Sequence, residues 1–167
     1  EGIYQDGELI PGFRPDSLGY TVVLPYGTTT VPTFTYKDGK EGQTVEFETI
    51  QLADNKLTHI FTVIAPNEES AIAYNVFVEV ALNDNSRLQT LLVKGTQIVN
   101  FHADTLNYTI LYPIGSSEAD FATIADIEAI AEDVNATIQI TQNGEDINVQ
   151  VIAQDGIHTR VYSIHQE

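Results

Sequence analysis

Apolar residues along this chain recur at a period of two, not 3.6. Thr44-Val45-Glu46-Phe47-Glu48-Thr49-Ile50 alternates polar and apolar, as a half-buried strand does, and so do Ala136-Thr137-Ile138-Gln139-Ile140 and Ile147-Asn148-Val149-Gln150-Val151. Tyr20 to Leu24 and Tyr108 to Tyr112 are β-branched and aromatic runs closed by Pro and Gly. Further strands are expected at Tyr74 to Val78 and Tyr162 to Ile164. Asp6-Gly7, Asp38-Gly39, Asn143-Gly144 and Asp155-Gly156 mark turns between them. One helical turn is expected, from Ser117 to Ala122. Many short strands without a helical period predict an all-β chain of sandwich type.

The pattern occurs twice. Displaced by 88 residues, the chain aligns on itself without a gap and gives about 20 identities in 79 positions. Ile10, Phe13, Asp16, Leu18, Tyr20 and Pro25 fall on Ile98, Phe101, Asp104, Leu106, Tyr108 and Pro113; Val63, Ala65 and Tyr74 fall on Val151, Ala153 and Tyr162. Two tandem immunoglobulin-like β-sandwiches are therefore expected, over residues 1–82 and 83–167, joined at Asn83-Asp84-Asn85. Glu1 aligns with Gln89, so the first strand of the first domain is expected to be clipped.

Composition narrows the function classes. The 167 residues carry 7 Lys+Arg against 24 Asp+Glu, a net charge of −17. Scattered bases cannot neutralise a phosphate backbone, so nucleic acid is not an expected partner, and an anionic membrane surface is disfavoured. No apolar run approaches the roughly 18–20 residues of a membrane span, so no insertion by this segment is expected. Without Cys there is no disulfide, thiol nucleophile or thiolate metal site. Without Met there is no initiator, which suggests a segment of a longer parent chain whose neighbouring domains are its partners.

Gly7-x2-Ile10-x2-Phe13-x2-Asp16-x-Leu18-x-Tyr20-x4-Pro25-x-Gly27 resembles the opening of bacterial immunoglobulin-like, "cadherin-like" β-sandwich modules. Leu88-x2-Leu91-x-Val93-x-Gly95 resembles their first strand, residues 127–138 their middle strand pair, and residues 151–162 their closing hairpin. In the first repeat Ala65-Pro66-Asn67-Glu68-Glu69 replaces the Asp-Gly turn of that hairpin, so a different loop is expected. The resemblance implies a non-catalytic accessory segment of a secreted, periplasmic or surface glycoside hydrolase, of chitobiase/β-hexosaminidase type, in a Gram-negative gut bacterium. A carbohydrate-binding or adhesion module is the alternative, and a small hydrolase the third reading.

Candidate sites follow from these readings. Aromatics repeated in both halves are expected to be core anchors. Tyr4, Tyr26, Tyr36 and Tyr112 occur in one half only and are the candidate sugar platforms for a polysaccharide ligand. Asn83-Asp84-Asn85 is similar to the Asn-Asp-Asn element that binds Ca²⁺ between true cadherin domains, and its hard oxygen donors suit calcium; a polar turn is the other reading. Ser17 and Thr105, in Asp16-Ser17-Leu18 and Asp104-Thr105-Leu106, resemble bacterial O-glycosylation acceptors, and a capped turn is the plainer account. Glu46/Glu48 and Glu132/Asp133 are the paired acids a glycoside hydrolase needs, and are expected on solvated surface. His59, His102, His158 and His165 show no metal spacing and are expected at surface or loop positions.

Overall fold

The computed structural model describes residues 1–37 and 39–167. The turn expected at Asp38-Gly39, and the match of Asp38 with Asp126, involve a residue outside those described. The chain divides into two compact units, Glu1–Ala81 and Leu82–Glu167, one residue short of the boundary expected from sequence.

Among its described residues the first unit has seven strands: β1 (Gly2–Gln5), β2 (Glu8–Leu9), β3 (Gly19–Leu24), β4 (Phe34–Lys37), β5 (Thr44–Ala53), β6 (Lys56–Ile64) and β7 (Ala71–Val80). They form two sheets, β2-β1-β4 and β3-β7-β6-β5. The second unit has β8 (Leu88–Val93), β9 (Thr96–Gln97), β10 (Asn107–Ile110), β11 (Ile127–Ala131), β12 (Thr137–Asn143), β13 (Asp146–Ile152) and β14 (Thr159–Gln166). Its sheets are β11-β8-β9 and β10-β14-β13-β12. All pairings are antiparallel except β3 with β7 and β10 with β14. The all-β class expected from the period of two is the class observed.

Alternation explains each core. Along β6, Phe61 and Val63 point inward opposite Tyr74 and Ile72 of β7, while Thr62 and Ile64 point outward. The first core joins Ile3 and Phe34 of one sheet to Phe61, Tyr74, Val76 and Val78 of the other. The second joins Leu88, Leu91 and Ile127 to Ile147, Val149, Tyr162 and Ile164. Each fully buried aliphatic or aromatic side chain contributes about 1.5–3 kcal/mol relative to exposure.

The repeated tyrosines are more than apolar anchors. Tyr20 Oη lies 2.6 Å from Arg14 O and accepts the Arg14 N–H at 3.1 Å. Tyr108 makes the same pair of contacts with His102, at 2.9 and 3.1 Å. A strand residue thus closes the loop that precedes it, which is why Tyr and not Phe stands at both positions.

Two expectations need correction. The Ala65–Ser70 loop closes like its counterpart. Ala65 N–H donates to Ser70 O at 2.9 Å and Glu68 N–H to Ala65 O at 2.8 Å; Ala153 N–H donates to His158 O at 2.8 Å and Gly156 N–H to Ala153 O at 3.0 Å. The flanking strand pairs fix the loop, and Glu68 takes the left-handed φ of 58° where Gly156 has 73°. The expected helical turn is a 3-10 turn at Glu118–Asp120, and a second follows at Ile124–Asp126. Each is closed by an aspartate accepting the N–H and hydroxyl of the residue three before it, Asp120 from Ser117 and Asp126 from Thr123.

Candidate functional site

Of the four candidate platform tyrosines, two are packing residues. Tyr36 stacks on Tyr74 at 5.7 Å, tilts against Phe61 at 6.3 Å, and donates its hydroxyl to Glu1 Oε1 at 3.0 Å. Burial first, and the Glu1 carboxylate second, push its hydroxyl pKa upward. Tyr112 packs on Phe121 at 4.8 Å and donates to Gln166 Oε1 at 3.0 Å while accepting the Ala122 N–H at 3.1 Å. Both rings are half-buried against neighbouring aromatics, so part of each is used in packing its own unit. Tyr4 lies on the opposite face of β1 from buried Ile3, with Lys37 Nζ 4.2 Å from its ring centroid. Tyr26 is 56% exposed in the turn after β3. Tyr26 is thus the one exposed candidate of the four, while Tyr4, like Tyr36 and Tyr112, is half-buried.

The Asn83-Asp84-Asn85 element belongs to the second unit rather than to a free hinge. Asn83 N–H donates to Gln154 Oε1 at 3.0 Å, and Asn83 O accepts the Asp155 N–H at 3.1 Å. Asn83 Oδ1 accepts the Asn85 N–H at 3.0 Å and Asn85 Oδ1 the Arg87 N–H at 2.9 Å, two consecutive Asx turns. Asn85 Nδ2 donates to Glu132 Oε2 at 2.9 Å. The recess beside Asp84 and Asn85 is lined by Arg87, His158 and Arg160. Amide oxygens committed to backbone N–H groups, next to two guanidinium groups, do not fit a calcium ion. Among the described residues no three His, Asp or Glu side chains gather as a metal site.

Asp104 explains where those arginines go. Its Oδ1 receives Nε of Arg87 at 3.1 Å and Nη1 of Arg160 at 2.9 Å, and the two guanidinium groups hold its carboxyl at about 2. Arg160 Nη1 also reaches Ala103 O at 3.0 Å. Thr105, next in sequence, is exposed, and its N–H donates to His102 O at 2.9 Å. Ser17, half-buried, sits in the corresponding turn, its N–H donating to Arg14 O at 3.0 Å. Both hydroxyl residues therefore lie in hydrogen-bonded turns that lead into strands.

Of the candidate acid pairs, one lies on solvated surface as expected and the other departs from it at Asp133. Glu46 and Glu48 are exposed on the outward face of β5, opposite Thr62 and Ile60. Asp133 is buried, with Oδ1 accepting the Asn135 N–H at 3.1 Å, while its neighbour Glu132 holds Asn85. His158 and His165 pair with carboxylates, Nδ1 to Asp155 Oδ2 at 2.5 Å and Nδ1 to Asp146 Oδ1 at 2.7 Å, and both imidazole pKa values are raised by the partner. His59 departs from the expected surface position. It is buried beside Phe34 and Phe47, with centroids at 5.0 and 5.2 Å, and has Thr49 Oγ1 2.8 Å from Nδ1. No charged side chain compensates its burial, so desolvation lowers its pKa.

Sequence reading missed a polar grid on the outer face of the second unit. Register places Asn107, Ser163 and Asn148 in one cross-strand row and Thr109, His165 and Asp146 in another. Together with Tyr108 they line a cleft of ≈ 270 Å³. Ser163 Oγ donates to Asn148 Oδ1 at 2.7 Å. Amides, hydroxyls and an imidazole–carboxylate pair supply both donors and acceptors, the chemistry that a polyhydroxylated ligand meets. Positions 88 residues earlier are Gly19, Asn75, Ile60, Thr21, Phe77 and Thr58, where neither the Ser163–Asn148 pair nor the His165–Asp146 pair has a polar counterpart on both strands. The signal was present as polar residues at alternate positions of three strands, but only pairing register brings them side by side. No protein-family model matches the chain, and no curated protein matches it.

Proposed function

We propose that this chain is a non-catalytic spacer module of a secreted or surface-exposed carbohydrate-degrading protein of a Gram-negative bacterium, the role implied by the bacterial immunoglobulin-like modules it resembles. What supports this reading most is how its polar groups are used. The Tyr20, Tyr108 and Tyr112 hydroxyls, the Asn83 and Asn85 amides and the Asp104 carboxylate all close turns or tie strands of their own unit. Such a module holds flanking domains of its parent chain at a set separation and performs no chemistry. The isolated chain is expected to leave chromogenic glycosides unhydrolysed and to pass unretarded through immobilised polysaccharide. Turnover by the chain alone overturns the spacer reading in favour of a small hydrolase.

The polar grid favours carbohydrate binding as the second reading. Retention on a glycan matrix, abolished by Asn148→Ala together with Ser163→Ala, is the result that carries it. O-glycosylation at Ser17 and Thr105 belongs to the same proposal, because both residues lie in turns at the start of β3 and β10. Intact mass of natively secreted material is the measurement, and an unmodified mass removes the proposal.

A further inference from the structure

At one seam of each unit the two sheets end in strands with a neighbour on one side only: β2 and β3 in the first unit, β9 and β10 in the second. Between β3 and the Ile10–Pro11 segment that follows β2 runs a groove of ≈ 580 Å³, with Val22 and Val23 in its β3 wall. Through Gln5, Ile10 and Pro11 it continues into a recess of ≈ 410 Å³ that adds Asp6, Glu8 and Leu9. Val23 is 64% exposed and Leu9 48%, so apolar surface faces solvent beside an unpaired strand edge.

The parallel pairing of β3 with β7 decides which backbone groups are free. Asn75 N–H donates to Leu18 O at 2.8 Å and Ala81 N–H to Leu24 O at 2.9 Å, so even-numbered residues of β3 face β7. In a parallel ladder the N–H and C=O of one residue point to the same side and those of the next residue to the other. Gly19, Thr21 and Val23 therefore turn their backbone groups to the open edge.

We propose that this edge takes up an extended, cationic segment of another polypeptide, which adds to β3 as a further strand and sets alternate apolar side chains between β3 and the Ile10–Pro11 segment. Backbone pairing supplies affinity and the groove supplies the pockets, as in strand addition generally. Charge selects the occupant. Asp6 and Glu8 flank the groove and no base lines either recess, within a chain of net charge −17. Asp6 Oδ1 accepts the Thr33 N–H at 2.8 Å, so Glu8 is the acid left to meet an incoming cation. A second copy of the chain is disfavoured, because two bodies of −17 repel.

The second unit supplies an internal control. Its groove of ≈ 590 Å³, lined by Ile98, Val99, Ile110 and Leu111, has Lys94 and Thr96 where the first has Asp6 and Glu8. Asp6 and Lys94 share the left-handed backbone, with φ of 49° and 51°, so the turn is alike and the charge is reversed.

The test is amide hydrogen exchange by NMR on the whole chain, with two acetylated, amidated peptides that alternate valine and threonine. One ends in lysine at both termini and the other in glutamate. The lysine peptide is expected to slow exchange at Thr21 and Val23, with little effect at Thr109 and Leu111, and the glutamate peptide to do neither. Glu8→Lys, an exposed change outside both cores, is expected to weaken the lysine peptide by about tenfold, in the range of a lost charge pairing at an interface. Equal protection by both peptides, or none at Thr21 and Val23, overturns the proposal. Protection that grows with protein concentration alone overturns it too, and identifies a second copy as the occupant.

Discussion

Glu68 holds a left-handed backbone, φ 58°, at the position where the second unit has Gly156 at 73°. An L-residue there carries steric cost that glycine escapes, and nothing lies within 4 Å of a Cβ added at Gly156, so the cost is one of backbone alone. Gly156→Ala is therefore expected to destabilise the second unit by about 1 kcal/mol, and Glu68→Gly to stabilise the first by about half that, since added chain entropy in the unfolded state offsets part of the gain. Urea unfolding of each variant measures both. Tyr162 presents a different cost. It is fully buried, its hydroxyl donates to Ala103 O at 2.6 Å and accepts the Leu88 N–H at 3.0 Å, and Tyr162→Phe leaves two backbone groups without that partner. A loss of about 1–3 kcal/mol is expected. Tyr74 donates its hydroxyl to one backbone carbonyl, Pro15 O at 3.0 Å, so Tyr74→Phe belongs at the lower end of that range. The sequence shows both tyrosines as repeated aromatics but cannot show which carbonyl each hydroxyl finds.

Among the elements, period-two alternation and β-branched or aromatic runs marked β3, β5, β7, β10, β12, β13 and β14. The half-buried face expected of β5 is not formed, because only Val45 is partly buried along it. β6 escaped this reading because Lys56–Ile64 reads Lys-Leu-Thr-His-Ile-Phe-Thr-Val-Ile, with Ile60 and Ile64 on the outward face, so apolar residues occupy both faces and alternation blurs. The second 3-10 turn escaped because Thr123 and Asp126 reveal their hydrogen bonds only once folded. The linker carried two readings, a calcium element and a polar turn. Asn83-Asp84-Asn85 has the composition of a cation site, and the Asn83 and Asn85 amide oxygens are used in consecutive Asx turns. Thermal unfolding is accordingly expected to show no shift of midpoint at millimolar Ca²⁺, and a rise confined to the second unit contradicts that account. The tie that matters there is Asp104, which links Arg87, just before β8, to Arg160 on β14. Asp104→Asn is expected to lower the midpoint of the second unit. The deficit should narrow near molar salt, because all three side chains are substantially solvent-exposed and their attraction is screened.

On the scale of the whole molecule, the two units share strand order, and their histidines predict opposite responses to acid. His59 is buried between Phe34 and Phe47, and burial lowers its pKa below 6.5. The groups packed on it are Thr49 and Phe47 from β5, Phe34 from β4 and its cross-strand neighbour Val76 from β7; none carries a charge. A depressed pKa means the unfolded chain binds the proton first, so the contribution of His59 is present above about pH 6.5 and is lost as pH falls below it. The second unit has Ile147 at the corresponding position, fully buried and without a titrating group. Its own histidines run the other way. His158 and His165 are raised by Asp155 and Asp146, so their contribution is complete below 6.5 and is lost as pH rises through the raised values. Between pH 7.5 and about 5.5 the first unit is therefore expected to lose stability while the second gains it. Below that range the second weakens in turn as Asp155 and Asp104, both held at about 2, approach protonation. Hydrogen exchange read separately at amides of β6 and β13 measures the two slopes. His59→Ile is expected to flatten the first slope and leave the second unchanged; parallel slopes in the two wild-type units contradict the assignment to His59, because a change in net charge alone acts on both.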